Sequence, residues 1–123
     1  MSRALYEYAL LRVTPSLARG EQLNIGVVLH CQQAALLEVA LHVDEQRLAA
    51  LAPSLELAAV LDAAAGLQEV ARGVGPAGEL SLGQRFRWLT APRSTLLQTG
   101  PAHTGLSADP PGEAARLLTL LVR

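Results

Sequence analysis

Between positions 87 and 104 the chain gathers Arg87, Arg93, Ser94, Thr95, His103 and Thr104, with no carboxylate among them. Guanidinium forks and hydroxyls are donors that match the oxygens of a phosphate or carboxylate, and a guanidinium keeps its charge at any physiological pH. Pro92 and Pro101 set two bends. Gly100 and Gly105 tolerate backbone conformations that could turn N–H groups toward the same anion. The segment therefore reads as an anion-binding candidate. The competing reading is that these groups bond one another, because a loop crossing a small domain must pair its own backbone polar groups. No Gly-rich run leads to Lys-Ser or Lys-Thr, so this is not a P-loop.

The same residues allow an enzymatic alternative on a phosphate ester or nucleic acid, with His103 as acid/base and Arg87 and Arg93 stabilising developing charge. A carboxylate–lysine nuclease core is excluded, since all ten cations are Arg. Metal-dependent variants want paired acids that the cationic segment lacks. A non-catalytic binding or accessory module needs neither, and is the leading expectation.

A second polar set is Arg12, Asn24, His30, Glu38 and His42, spaced to share one face of strands early in the chain. His30 there could meet Leu36 or Glu38 across strands, and a His–carboxylate contact could tune an acid/base, although such a face is most often just solvated. His30 and Cys31 are adjacent on a strand and point to opposite sides, which rules out a thiol–imidazole dyad. The three histidines show no HxH or HExxH spacing, so neither a metal nor a cofactor is expected. Four aromatic side chains in two clusters are too few for a single-stranded nucleic-acid platform. Arg85 and Trp88, three apart on a helix, could stack.

Composition narrows the classes further. A length of 123 residues fits a single domain, 1–123, and half the residues are hydrophobic against 17% charged, which suits a packed core. Net charge is −1, against a broad basic nucleic-acid surface. The charge is uneven, however, with acids predominating from Glu38 to Glu79 and only Arg85, Arg87 and Arg93 from Leu80 to Ala108. Asp62 breaks the longest apolar run, LAAVLDAAAGL, short of the roughly 20 residues of a membrane span. The N-terminus carries Tyr6, Glu7 and Tyr8 where a signal peptide would be apolar, so a cytoplasmic protein is expected. A lone Cys31 forms no internal disulfide.

The elements that must position these residues begin with strands. ALYEYALLRV alternates Tyr6, Tyr8, Leu10 and Arg12 against Leu5, Glu7, Ala9, Leu11 and Val13. LNIGVVLHC places Leu23, Ile25, Val27, Leu29 and Cys31 on one side. ALLEVALHV follows after a short link, which makes the two an antiparallel hairpin with one apolar face. Asp44 can cap a short helix ending before Pro53, and Ser54 a longer one through Arg72, stopped by Gly73. Ser81 and Gln84 have capping-box spacing for a helix from Leu82 to Pro92, with a strand over RFRWLT as the alternative. Ser94 to Thr99 suits an edge strand, GPAHTGLSADPPG a loop, and Asp109-Pro110 the start of a last helix burying Ala114, Leu117, Leu118 and Leu121. The expected class is α+β, an antiparallel sheet of three to four strands with helices packed on one face. An exposed edge at Ser94 to Thr99 could pair two copies across a two-fold axis, as any edge strand could.

YEYALLRVTP, EQLNIGVVL and FRWLTAPRSTLLQTGPAHTGL together resemble a bacterial family, domain-of-unknown-function family 3037. The resemblance runs from Tyr6 to the final helix, is most specific at Ala91–Ser94 with His103-Thr104-Gly105, and is weakest between Val43 and Gly78. It implies a small stand-alone module with no assigned chemistry, encoded often beside a HipA-like serine/threonine kinase. A kinase partner is the expectation this adds.

Overall fold

The computed structural model describes residues 2–94 and 96–123. It is an α+β domain built on a five-stranded antiparallel sheet. The strands are β1 (Ala4–Ser16), β2 (Glu21–Cys31), β3 (Leu36–Leu41), β4 (Leu97–Thr99) and β5 (His103–Ser107). The α-helices are α1 (Glu45–Leu51), α2 (Leu57–Ala71), α3 (Leu82–Thr90) and α4 (Pro110–Leu121). Strand β1 is central. It pairs with β2 on one side, and β3 continues beyond β2.

On the other side of β1 lie β4 and β5, end to end. The register passes from Leu11 opposite Thr99 to Tyr8 opposite His103, so Gly100-Pro101-Ala102 carries one residue more than the β1 backbone it faces. Pro101 therefore marks a bulge in an edge strand, a position where a missing N–H does little harm. His103–Ser107 had been expected as loop. Its pairing is long-range, with β1, and its composition of one His, one Thr, one Gly, one Leu and one Ser carries little strand propensity to announce it.

A second bulge resets the faces of β2. Leu11 faces Gly26 but Arg12 faces Asn24, leaving Ile25 extra. Leu23, Ile25 and Val28 consequently enter one core with Val39, Val60, Ala64, Phe86 and Leu89, while Val27, Leu29 and Cys31 enter another with Tyr6, Ala114, Leu117 and Val122. The expectation that Leu23 through Cys31 share one side fails at this residue, since one insertion inverts a period-2 pattern. Glycine is required at the bulge: a Cβ on Gly26 would lie 2.7 Å from the Ala40 carbonyl oxygen and 2.9 Å from Leu41 Cδ2.

Helices α1, α2 and α3 pack over the first core, and α4 closes the second on the opposite face. Local signals set most helix ends. Asp44 accepts a hydrogen bond from Arg47 N–H at 3.1 Å, and Ser81 with Gln84 forms a reciprocal capping box. Residues 82–90 are helical, as the capping spacing implies, with Phe86 and Leu89 buried. Helix α2 starts at Leu57, three residues after Ser54, because Pro53 and Ser54 are spent in a turn. Among the described residues no helix is long and apolar enough to cross a membrane.

Candidate functional site

One row of side chains crosses the sheet at its open end. Thr104 on β5 faces Glu7 on β1, Glu7 faces His30 on β2, and His30 faces Leu37 on β3. Register partners project from the same face. Here it is the face covered by α3, and the cover stops short of β5.

His30 is held from three directions. Its Nδ1 lies 2.8 Å from Glu7 Oε1, its Nε2 lies 3.2 Å from Gln32 Oε1, and its ring stacks on Phe86 with centroids 5.7 Å apart. The imidazole is buried at 7% exposure, while Glu7 keeps about a third of its side chain in water. Two arrangements satisfy this geometry: a charged ring donating to both oxygens, or a neutral ring with the Gln32 amide turned to donate to Nε2. In both, neither ring nitrogen is free to take a substrate proton. Leu5, Tyr6, Glu7, His30, Gln32 and Thr104 enclose a pocket of about 180 Å³ beside the ring.

Helix α3 contributes to this site through an absence. Gly83 lies in its first turn, and the point its Cβ would occupy is 3.7 Å from His30 Cε1 and 3.8 Å from a guanidinium nitrogen of Arg87. Arg87, one turn on, thus reaches back over bare backbone toward the histidine edge. It is exposed.

The other two cations of the 85–93 cluster are engaged by the scaffold. Arg85 donates to Leu80 O at 3.0 Å and to Ala71 O at 2.9 Å, closing the C-terminal end of α2. Arg93 donates from Nε to Trp88 O at 2.9 Å and lies over the Trp88 ring at 4.1 Å. The stack on Trp88 is therefore made by Arg93, where Arg85 had been expected. Arg85 is drawn away by the unpaired carbonyls of α2, whose pull depends on tertiary placement.

The segment 87–104 does not present its polar groups as one surface. Ser94 Oγ accepts from Leu96 N–H at 3.0 Å and Leu97 N–H at 3.3 Å, and Thr99 Oγ1 donates to Thr90 O at 3.0 Å. These bonds shape the turn into β4. Thr95 lies outside the described residues. His103 leans on Tyr8 with ring centroids 5.3 Å apart, on the α4 side of the sheet, away from Arg93. Of the six anion candidates, Thr104 lines the His30 pocket and Arg87 approaches His30 across Gly83, while Arg93, Ser94 and His103 lie elsewhere.

The expected polar face divides as well. Arg12 Nε donates to Asn24 Oδ1 at 3.2 Å, and Asn24 Nδ2 donates to Leu121 O at 3.4 Å, fastening α4 to the sheet. Glu38, opposite Leu29, belongs to that same α4 side, whereas His30 lies on the α3 side. His42 is half-buried and holds Ile25 O through its backbone N–H at 2.8 Å. The β2 bulge separates Asn24 from His30, so strict alternation counted across it assigns them wrongly to one face.

A polar cluster that sequence reasoning missed sits under α4. Glu113 is buried at 5% exposure and accepts from Arg116 Nε at 2.5 and 3.2 Å. Tyr6 is also 5% exposed, and burial, then the Glu113 charge, raises its phenol above the ordinary value of 10, against the opposing pull of Arg116. Glu113 falls on the buried side of α4 beside Ala114 and Leu117, where a carboxylate breaks the apolar pattern. That break was the available signal. Among the described residues no group of His, Cys, Asp and Glu could hold a metal ion.

A family model described as a protein of unknown function (DUF3037) matches residues 8–122. No curated protein and no solved structure matches the chain.

Proposed function

Because the chain belongs to the DUF3037 family, whose description names no activity, we propose from the site alone that it is a non-catalytic binding module for a phosphorylated or similarly anionic group. Arg87 is the cationic contact, Thr104 the hydroxyl donor, and the Glu7–His30–Gln32 set a fixed polar floor. What carries this reading is an exposed guanidinium beside a buried histidine: among the described residues, Arg87 is the cation of the 85–93 cluster with no hydrogen bond to a backbone carbonyl and no stack on an aromatic ring. Binding is favoured over turnover because both imidazole nitrogens are already bonded, and a general base needs one free. The enzymatic alternative on a phosphate ester or nucleic acid, with His103 as acid/base and Arg93 as charge stabiliser, finds its two residues on different sides of the sheet.

The test is thermal stabilisation by inorganic phosphate, a nucleoside monophosphate and a phosphoserine peptide. A charge-assisted hydrogen bond contributes about 1.5–3 kcal/mol, so Arg87→Ala should weaken binding roughly 10- to 100-fold. Arg93→Ala should leave the stabilisation in place. No stabilisation by any of the three, or a response lost with Arg93 and kept without Arg87, overturns the proposal. A HipA-like kinase is the protein partner proposed for the same surface, to be checked by calorimetric titration of the purified pair with Arg87→Ala as control.

A further inference from the structure

We propose that a second copy of this chain pairs antiparallel along β5, about a two-fold axis at Gly105, giving a weak, reversible dimer with a continuous sheet. The inference goes beyond the anion site and stands on different observations.

Among the described residues β5 has one strand partner, β1, so its outer edge offers N–H and C=O groups to a further strand. Natural edges are guarded by charges, prolines or bulges. His103–Ser107 contains no Lys, Arg, Asp, Glu or Pro, and its own bulge lies outside it at 100–102. The opposite edge, β3, carries Glu38 in its middle. Strand β4, on the same side of β1, also lacks charge but is only three residues long, so among the described residues β5 is the longer unguarded edge.

The adjoining face is apolar and open. Leu5 and Leu106 are register partners on β1 and β5, and are 62% and 59% exposed. Two large neighbouring leucines in water, flanking an unguarded edge, call for cover. The absence of charge on β5 argues for a second copy over a strand from another protein, which charged side chains would normally select.

The pattern is also self-complementary. With Gly105 on the axis, His103 meets Ser107 of the second copy and Thr104 meets Leu106 of the second copy, a large residue against a smaller one in each pair. Thr104 and Leu106 both lie on the Leu5–Glu7 face. The pairing therefore covers each leucine pair and sets Leu106 of the second copy as a wall of the His30 pocket. Five paired residues and two leucines per copy bury far less than the roughly 800 Å² per partner of a standard interface. Association should accordingly be in the micromolar range or weaker.

Sedimentation equilibrium of the full chain, up to about 1 mM, should show a concentration-dependent monomer–dimer mixture. Leu106→Lys should make it monomeric with an unchanged melting profile. Leu120→Lys, at the 67% exposed leucine of α4, should not. Register is read by oxidation: Thr104→Cys mixed with Leu106→Cys should form an intermolecular disulfide, and neither variant alone should, since like positions sit about 7–8 Å apart on the diagonal. The native Cys31 is fully buried and does not compete. A strictly monomeric chain, a dimer that survives Leu106→Lys, or equal cross-linking of each variant with itself overturns the proposal. The anion site would be untouched by that failure, because it is read by phosphate and Arg87.

Discussion

Replacing Gly105 with alanine should be among the costliest single-methyl changes in the protein. A Cβ there would lie 2.5 Å from Tyr6 Oη, 2.6 Å from Cζ and 2.9 Å from Cε1, where ordinary contact needs about 3.5–4.0 Å. The ring would have to retreat by roughly 1 Å. It has little room, being buried at 5% exposure, against Tyr8 on one side and with Glu113 and Arg116 at its hydroxyl. Overpacking typically costs about 1–3 kcal/mol. With the clash directed at a rigid ring, Gly105→Ala belongs at the upper end, about 2–3 kcal/mol, or a fall in Tm of roughly 6–12 °C for a domain of this size. Urea unfolding gives the free energy, with an unchanged slope showing that the denatured state is the same. The cause is isolated by repeating the change in a Tyr6→Leu background, where the added cost should shrink by at least about 1 kcal/mol. A loss under about 0.5 kcal/mol in the native background, or equal losses in both, would refute the steric reasoning. Gly100→Ala is the control: its nearest neighbours are the Arg12 guanidinium atoms at 2.9–3.0 Å, the far end of a flexible side chain, so the cost should stay below about 1 kcal/mol.

Other consequences are smaller or conditional. The Tyr6 phenol titrates above 10 in the folded chain and at about 10 when unfolded, so above pH 10 the unfolded state holds fewer protons and stability falls as pH rises. Tyr6→Phe should flatten that alkaline slope, and a slope identical to the native protein's would remove the assignment. Ser81→Ala breaks the capping box of α3 and should cost about 0.5–2 kcal/mol by chemical unfolding. Arg85→Ala leaves the Val70, Ala71 and Leu80 carbonyls without their guanidinium and should cost about 1–2 kcal/mol. If that loss equals the one from Arg93→Ala, whose ring contact is solvent-facing, the distinction drawn between the two arginines is wrong.

Much of the helical layer was legible because its signals are local. Asp44 and Ser81 cap within three residues, Asp109-Pro110 opens α4, and Leu117 with Ala114 marks its buried side at helical spacing. Period-2 alternation likewise located β1, β2 and β3 and their antiparallel hairpin. Legibility ended at the bulges. Ile25 does not differ in kind from its neighbours, and Pro101 reads equally as a bend in a loop, yet at each the ladder takes the extra residue that changes which side chains meet.

Residue order alone determined the α+β class, the caps at Asp44 and Ser81, the separation of His30 from Cys31 and the shortage of acids beside Arg87 and Arg93, all of which depend on spacing along the chain. Only the assembled sheet decided that Glu7, His30 and Thr104 stand in one row, that Arg93 turns to Trp88 and that His103 faces Tyr8. Cross-strand neighbours are chosen by register, register by where single extra residues interrupt the ladder, and those interruptions are settled by the packing of two cores at once.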